Sequence, residues 1–158
     1  MCEVRKGQSI TQKQTKEGNI KVVAGGTGFA YYHNEANRDA NIITISASGA
    51  AGFVNFWKEP IFASDCTTLK AKTDMETYYI YHYLKNMQEE IYKLARGSAQ
   101  LHVYPDDIKN IQIPIPSIEK QKEIVEQIEK YEKEIENLQA IMNSCKDRKD
   151  EILKKYLY

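Results

Sequence analysis

The chain has 158 residues and a mass of 18.2 kDa, which is the size of one domain or of one domain with an appendage. Its 22 basic and 22 acidic side chains give a formal net charge of zero. This balance excludes a protein that holds nucleic acid through bulk basicity, but it is compatible with a DNA reader whose basic groups lie on one face. No stretch of about 18 consecutive apolar residues is present, so the sequence predicts no membrane span.

The cysteines and the amino terminus favour a cytoplasmic location. Cys2, Cys66 and Cys145 are odd in number and far apart, which argues against a disulfide framework and favours a reducing compartment. The first ten residues lack the apolar run of a secretory signal.

The composition divides the chain near Pro116. All eight glycines and all four prolines lie within residues 1–116. Residues 117–158 carry ten acidic and nine basic side chains and neither glycine nor proline. We therefore expect a loop-rich globular head over 1–116, followed by one long helix over 117–158.

The first half of the head is predicted to be rich in short strands. Turn residues at Gly18 and Asn19 precede a predicted strand over 20–23. The residues at 48–51 indicate a hairpin connection between two further strands. The remaining strands are predicted over 41–46, 52–57 and 60–69.

The second half of the head is predicted to begin with a helix. Thr73 and Asp74 are typical of a helix N-cap, apolar residues follow at helical spacing to Leu94, and Gly97 is expected to end the helix. Residues 111–115 are predicted to form an edge strand, because proline cannot donate to a ladder. The predicted fold class is α+β, with a mixed β-sheet and a packed helix preceding one long C-terminal coiled-coil helix.

The long helix carries two rows of apolar residues at heptad spacing, which is the pattern of a coiled-coil seam over about four heptads. Lys149 interrupts the second row. The alternative is a helix that lies along its own head, but a head of about 110 residues is small beside a helix of roughly 60 Å. We therefore expect the seam to meet a helix of another chain or of a second copy. The predicted interface residues are Ile124, Ile128, Tyr131, Ile135, Leu138, Met142, Cys145 and Ile152.

The sequence gives poor signals for catalysis. The glycine-rich stretch over 25–28 lacks the spacing of a phosphate-binding loop. The three histidines lack metal-ligand spacing, and no nucleophile, base and oxyanion donor fall together. We expect a non-catalytic protein with no metal and no cofactor.

Three predicted loops combine polar and aromatic or small residues, over 30–34 with Arg38, over 46–49 and over 95–102. Arginine and glutamine side chains can each make two hydrogen bonds to a base edge. Taken alone, each loop is also compatible with an ordinary surface turn, and Tyr31 and Tyr32 with core packing.

Four ordered segments give the chain a family resemblance: residues 6–34, 42–69, ARGSAQLHVYPDDIKNIQIPIPS over 95–117, and EKQKEIVEQIEKYEKEIENL over 119–138. Together they resemble the specificity subunit of type I restriction–modification systems. The resemblance implies a target-recognition domain followed by a long spacer helix. It also implies a non-catalytic subunit that directs methyltransferase and restriction subunits to a bipartite site on double-stranded DNA.

The resemblance further implies that the head enters the major groove. The segment ARGSAQ falls where the family has a Gly-Ser/Thr-x-Gln stretch, which gives a DNA-facing role to Arg96, Ser98 and Gln100. The same role extends to residues of the other two loops, namely Ser46, Ser48, Tyr31, Tyr32 and Arg38.

The chain departs from the family pattern in three ways. It has one recognition domain and one long helix, where the family usually has two of each. Lys120 replaces an acidic residue near the helix start, and the entry at Lys6 leads us to expect that a leading strand is missing. A natural half-subunit and a fragment of a longer chain both fit this pattern.

A half-subunit predicts a homodimer through antiparallel C-terminal helices. Two identical heads would then read two inverted copies of a short sequence. The alternatives are a coiled-coil adaptor that binds protein and not DNA, and a recognition domain cut from a fused methyltransferase.

Overall fold

The computed structural model describes residues 2–157 and confirms the predicted α+β class. Along the chain, a β-rich part is followed by a helical part and then by one long helix. The described strands are β1 (Glu3–Lys6), β2 (Ile20–Val23), β3 (Phe29–His33), β4 (Ile42–Ser46), β5 (Val54–Trp57), β6 (Ile61–Ala63) and β7 (Cys66–Lys70). The described helices are a 3₁₀ turn (Gln12–Gln14), α1 (Asp74–Asn86), α2 (Gln88–Tyr92), α3 (Pro105–Lys109) and α4 (Ile118–Leu157).

The strands form two sheets. The four-stranded sheet has the order β1-β7-β4-β5 and is antiparallel throughout, whereas the three-stranded sheet has the order β3-β2-β6 with β2 and β6 parallel. The central strand β4 is buried along its whole length. Its apolar run Ile42–Ile43 and Ile45 therefore suits a strand covered on both faces.

The core includes apolar side chains from both sheets, and α1 packs against β4, β5 and β7. Trp57 is buried, and its indole Nε1–H donates to Thr44 Oγ1 at 2.9 Å, so the ring keeps its polar atom satisfied. The core cluster consists of Val23, Ile42, Trp57, Ile61, Ala63 and Cys66.

The single strand predicted over 60–69 is wrong, because the chain changes sheets in its middle. β6 ends at Ala63 and pairs with β2, whereas β7 starts at Cys66 and pairs with β4 and β1. Long-range hydrogen bonds hold the crossing: Ser64 N–H donates to Val23 O (2.8 Å), and Asp65 O accepts from Ala47 N–H (3.1 Å).

The predicted N-cap of the first helix is confirmed, but its predicted end is wrong. Thr73 Oγ1 accepts from Glu76 N–H at 3.2 Å, and Thr73 N–H donates to the Glu76 carboxylate at 3.3 Å. The helix ends at Asn86, and α2 begins at Gln88. Gln88 binds the start of β5, since its amide accepts from Val54 N–H and donates to Gly52 O.

One further expectation for the head is wrong. Residues 111–115 form no strand, because Pro114 and Pro116 remove backbone donors and no described strand pairs with this segment. Residues before Gly7 form β1, which pairs with β7 through four aligned positions from Glu3–Lys70 to Lys6–Thr67.

The long helix α4 begins at Ile118, and Ser117 Oγ accepts from Lys120 N–H at 3.4 Å. It continues to Leu157, and the predicted end at residue 158 lies outside the described residues. By internal contacts the chain divides into one compact unit up to Gln121 and a second from Lys122 onward. No helix in the described part of the chain is both long and apolar enough to cross a membrane.

Candidate nucleic-acid interface

Three loops meet where β4 ends, and we call them the loop cluster (residues 24–28, 47–53 and 95–104). Ser46 Oγ donates to Gly26 O at 2.7 Å, and Ala50 N–H donates to Gly25 O at 2.7 Å. Val103 N–H donates to Ala47 O at 3.0 Å. The structure therefore brings two of the three predicted polar loops, 46–49 and 95–102, into direct contact.

The close approach between the first two loops depends on glycine. Gly49 has φ +63°, and a Cβ at this position would lie 2.7 Å from Gly25 O. A Cβ on Gly25 would lie 2.6 Å from Ser48 O. Any larger residue at either position would push the loops apart.

The third loop is closed by one pair of backbone hydrogen bonds. Arg96 and His102 each donate an N–H to the other's carbonyl oxygen, both at 2.9 Å. Gly97 has φ +142°, and a Cβ there would lie 2.2 Å from Gln100 O. Five residues, 97–101, thus form a tight exposed loop that carries Ser98 and Gln100 at its tip.

The Arg96 side chain is oriented by two neighbours but stays 65% exposed. Its Nη2 lies 3.2 Å from Asp107 Oδ1, and its guanidinium carbon lies 5.1 Å from the centroid of the Tyr104 ring. The ion pair and the cation–π contact hold the planar group while its remaining donors face solvent. Arg96 is therefore preoriented to donate two hydrogen bonds to a pair of acceptor atoms, such as those of a base edge or of a phosphate.

Four of the predicted site residues form side-chain hydrogen bonds within the head. Ser46 is 3% exposed and bonded to Gly26, and the Ser48 hydroxyl donates to the Asp65 carboxylate. The other two lie elsewhere in the head: Tyr31 Oη donates to Ile10 O at 2.5 Å, and Arg38 donates to Thr68 Oγ1, Asn37 O and Lys6 O at 2.7–3.0 Å.

These four side chains serve as structural contacts, since their donors are used within the fold. Arg38 also forms an isolated β-bridge with Ile61, away from the loop cluster. We therefore keep the predicted DNA-facing role for the exposed residues Arg96, Ser98, Gln100 and Tyr32 alone.

An exposed aromatic patch (Lys21, Phe29 and Tyr32) lies on β2 and β3. The rings of Phe29 and Tyr32 are 4.9 Å apart, and Lys21 Nζ lies 5.6 Å from the Phe29 centroid. Lys21 Nζ donates a hydrogen bond to Glu59 Oε1 at 2.6 Å. This ion pair raises the pKa of Lys21 and lowers the pKa of Glu59. Sequence reasoning placed residues 30–34 in a loop and missed Phe29 and Lys21, although the aromatic-rich run 29–33 is typical of a strand.

Among described residues 2–157, no three or more His, Cys, Asp or Glu side chains are arranged to hold a metal ion. A separate groove of about 480 Å³ has mostly apolar walls, including Val4, Leu69 and Ile113. Burial raises the pKa of the Cys2 thiol at its edge, so this thiol is not an activated nucleophile.

The seam of α4 is exposed along most of its length. The large apolar seam residues from Tyr131 to Tyr156 are between 51% and 74% exposed. Ile141, which lies beside the seam, is 60% exposed. Exposed apolar stripes of this extent are typical of interaction surfaces.

The comparisons with known proteins agree on one family. The model of the type I restriction modification DNA specificity domain matches residues 1–145. A protein of Mycoplasma pneumoniae that is named as a type I specificity subunit is 27% identical over 156 residues, which are 96% of this chain and 42% of that protein. A protein of the same description from Mycoplasma genitalium is 25% identical over 96% of this chain and 41% of its own length.

Solved structures show the same fold. The S subunit of a type I system from M. genitalium has a TM-score of 0.75 at 22% identity, covering 98% of this chain and 42% of that chain. The HsdS subunit from Thermoanaerobacter tengcongensis has a TM-score of 0.67 at 18% identity, covering 89% of this chain and 37% of that chain. The chain therefore spans about two fifths of the length of the relatives that it matches.

Proposed function

The chain belongs to the family of type I restriction–modification DNA specificity domains, and from this premise we propose that it is a sequence-specific DNA-recognition subunit. It directs methyltransferase and restriction subunits to a bipartite site on double-stranded DNA in the cytoplasm. The chain itself catalyses no reaction and uses no metal or cofactor; catalysis lies with the subunits that it recruits.

The observation that carries this proposal is the closed loop 97–101. Its geometry is fixed by the Arg96–His102 backbone pair and by Gly97, while Ser98 and Gln100 are exposed at its tip. A reader loop needs this combination, because base selection requires donors and acceptors that are fixed before binding.

Arg96 and Gln100 have different roles in the proposed complex. Gln100 can accept from and donate to adenine at once, so it reads a base in the major groove. Arg96 is anchored by Asp107 and Tyr104, and it binds a guanine edge or a phosphate. The aromatic patch with Tyr32 contacts the sugar–phosphate backbone beside the site.

Two copies of the chain act together in this proposal. The head, residues 1–116, reads DNA, and the segment 117–158 pairs antiparallel with the same segment of a second copy. The exposed α4 seam supports this pairing, because its large apolar residues from Tyr131 to Tyr156 are exposed in the single chain. The dimer interface comprises Ile124, Ile128, Tyr131, Ile135, Leu138, Met142, Cys145 and Ile152.

Site selection from random duplexes tests the proposal. The purified chain, with the methyltransferase subunit of the same system, is incubated with a randomised DNA library, and bound duplexes are sequenced at a stated salt concentration. We expect enrichment of one short sequence in two inverted copies. Recovery of the library without enrichment would instead support a protein-binding adaptor.

A further inference from the structure

The seam of α4 is arranged symmetrically about Ala140, and we propose that two copies pair in one antiparallel register whose two-fold axis passes level with that residue. This inference rests on the proposed pairing and specifies it.

The two apolar rows of α4 mirror each other about Ala140. Antiparallel helices place each residue of one row opposite a residue of the other row in the second copy. With the axis level with Ala140, every seam residue has a partner at the same height. The resulting layers are Leu138–Met142, Ile135–Cys145, Tyr131–Lys149, Ile128–Ile152 and Ile124–Tyr156, each formed twice.

This register gives Lys149 a suitable neighbour. Lys149 is the charged residue in a seam that is otherwise apolar, and it lies opposite Tyr131 of the second copy. Its methylene chain can pack in the layer while the ammonium group contacts the tyrosine ring. In a parallel pair, Lys149 would face Lys149 of the other copy, and two like charges would share one layer.

The residues flanking the seam agree with the same register. Glu134 lies beside Arg148 of the second copy, and Glu132 lies beside Lys146 of the second copy. Ile141, which is exposed in the single chain, meets Ile141 of the second copy near the axis. Opposite charges on both flanks and an apolar pair at the centre therefore complement each other across the interface.

Both registers shifted by one heptad lose the Lys149–Tyr131 layer. A shift by one heptad places Lys149 opposite Ile124 in one direction and opposite Leu138 in the other. In the first shifted register, Glu134 faces Ile141 and Arg148 faces Gln127, so no flanking ion pair remains. Lys149 therefore acts against misregistered pairs as well as in favour of the proposed one.

The register fixes a distance that matters for DNA reading. Each α4 residue adds about 1.5 Å, so Ile118 of one copy and Ile118 of the other lie roughly 66 Å apart along the helix pair. A one-heptad shift would change this separation by about 10 Å. The Lys149–Tyr131 layer thus sets the spacing between the two recognition heads.

Disulfide trapping in the full chain tests the register. In a Cys2→Ser background, Ile135→Cys is introduced opposite the native Cys145, and Ile128→Cys and Met142→Cys serve as controls. These controls would face Cys145 in the two one-heptad shifted registers. Cys66 is buried and its pKa is raised to about 12, so it does not compete in the reaction.

We expect the Ile135→Cys protein to form covalent dimers at least tenfold faster than either control under mild oxidation. Chains with Cys145 alone should not cross-link, because the two copies of Cys145 lie about 15 Å apart along the pair. Faster cross-linking of Ile128→Cys or Met142→Cys, or self-linking of Cys145, would overturn the register.

The mass in solution distinguishes a failure of the proposed register from a failure of the proposed pairing. Light scattering of the wild-type chain should give twice 18.2 kDa. A dimer in which Ile135→Cys fails to cross-link overturns the register but leaves the pairing in place. A wild-type monomer overturns both the register and the proposed pairing.

Discussion

Arg96 and His102 exchange two backbone hydrogen bonds of 2.9 Å, and this pair closes the loop that carries Ser98 and Gln100. The loop is joined to the rest of the loop cluster through Val103, which binds Ala47 O. The exposed tip is therefore held in place by a contact with a segment that is distant in sequence. This arrangement separates the residues that hold the loop from those proposed to read DNA.

Replacement of Gln100 by alanine should reduce discrimination between DNA sequences. We expect Gln100→Ala to weaken binding to the preferred site by about 1–3 kcal/mol and to leave binding to random DNA nearly unchanged. Gln8→Ala, at an exposed position outside the loop cluster, is the matched control. Equal losses on both DNAs, measured by fluorescence anisotropy, would show that Gln100 does not read a base.

Replacement of Gly97 by alanine should disrupt the loop. The φ of +142° and the contact of 2.2 Å with Gln100 O leave no room for a Cβ, so we expect a loss of about 1–3 kcal/mol in the free energy of unfolding. Specific DNA binding should fall with it. Gly28→Ala is the control, since a Cβ there has no neighbour within 4 Å. Similar urea midpoints for the two variants would contradict the described loop.

A charge in the middle of the α4 seam should separate the copies. Leu138→Asp places a carboxylate in an apolar layer, so we expect light scattering to give the mass of a single chain. Asn137→Asp adds the same side chain next to the seam and should remain dimeric. An unchanged dimer for Leu138→Asp would remove the proposed helix pairing.

The buried Cys66 thiol should make the head less stable at high pH. Burial raises its folded-state pKa to about 12, above the ordinary value of 9.0. The unfolded state therefore loses this proton first, and the stability contribution present below pH 9 is lost as the pH rises toward 12. Urea unfolding at several pH values should show a shallower decline for Cys66→Ala than for the wild type. Identical slopes of the free energy of unfolding against pH in the two proteins would show that Cys66 does not cause this decline.

The sequence predicted the elements whose signals are local. The heptad rows predicted α4, Thr73 and Asp74 predicted the start of α1, and the turn over 48–51 predicted the β4–β5 hairpin. The strands that escaped prediction have weaker local signals. β1 has one apolar residue, Val4, among three charged residues, and β3 follows a glycine turn.

The exposed loop over 97–101 was predictable from the sequence, but the contacts of the predicted site residues were not. The small residues around Gly97 marked the exposed loop, whereas its closure through the backbone of His102 leaves no signature in residue type. Arg38 and Ser46 have the chemistry of DNA readers, but they bind Thr68 and Gly26, which lie 30 and 20 residues away. Such long-range contacts are decided by the topology of the sheets.

The most direct test of the account maps the methylated sequences in DNA when this chain is the specificity subunit supplied to the methyltransferase of its system. The account predicts one modified motif that consists of two identical half-sites in inverted orientation with a fixed gap between them. Modification at two unlike half-sites, or at single half-sites without a fixed partner, would contradict it.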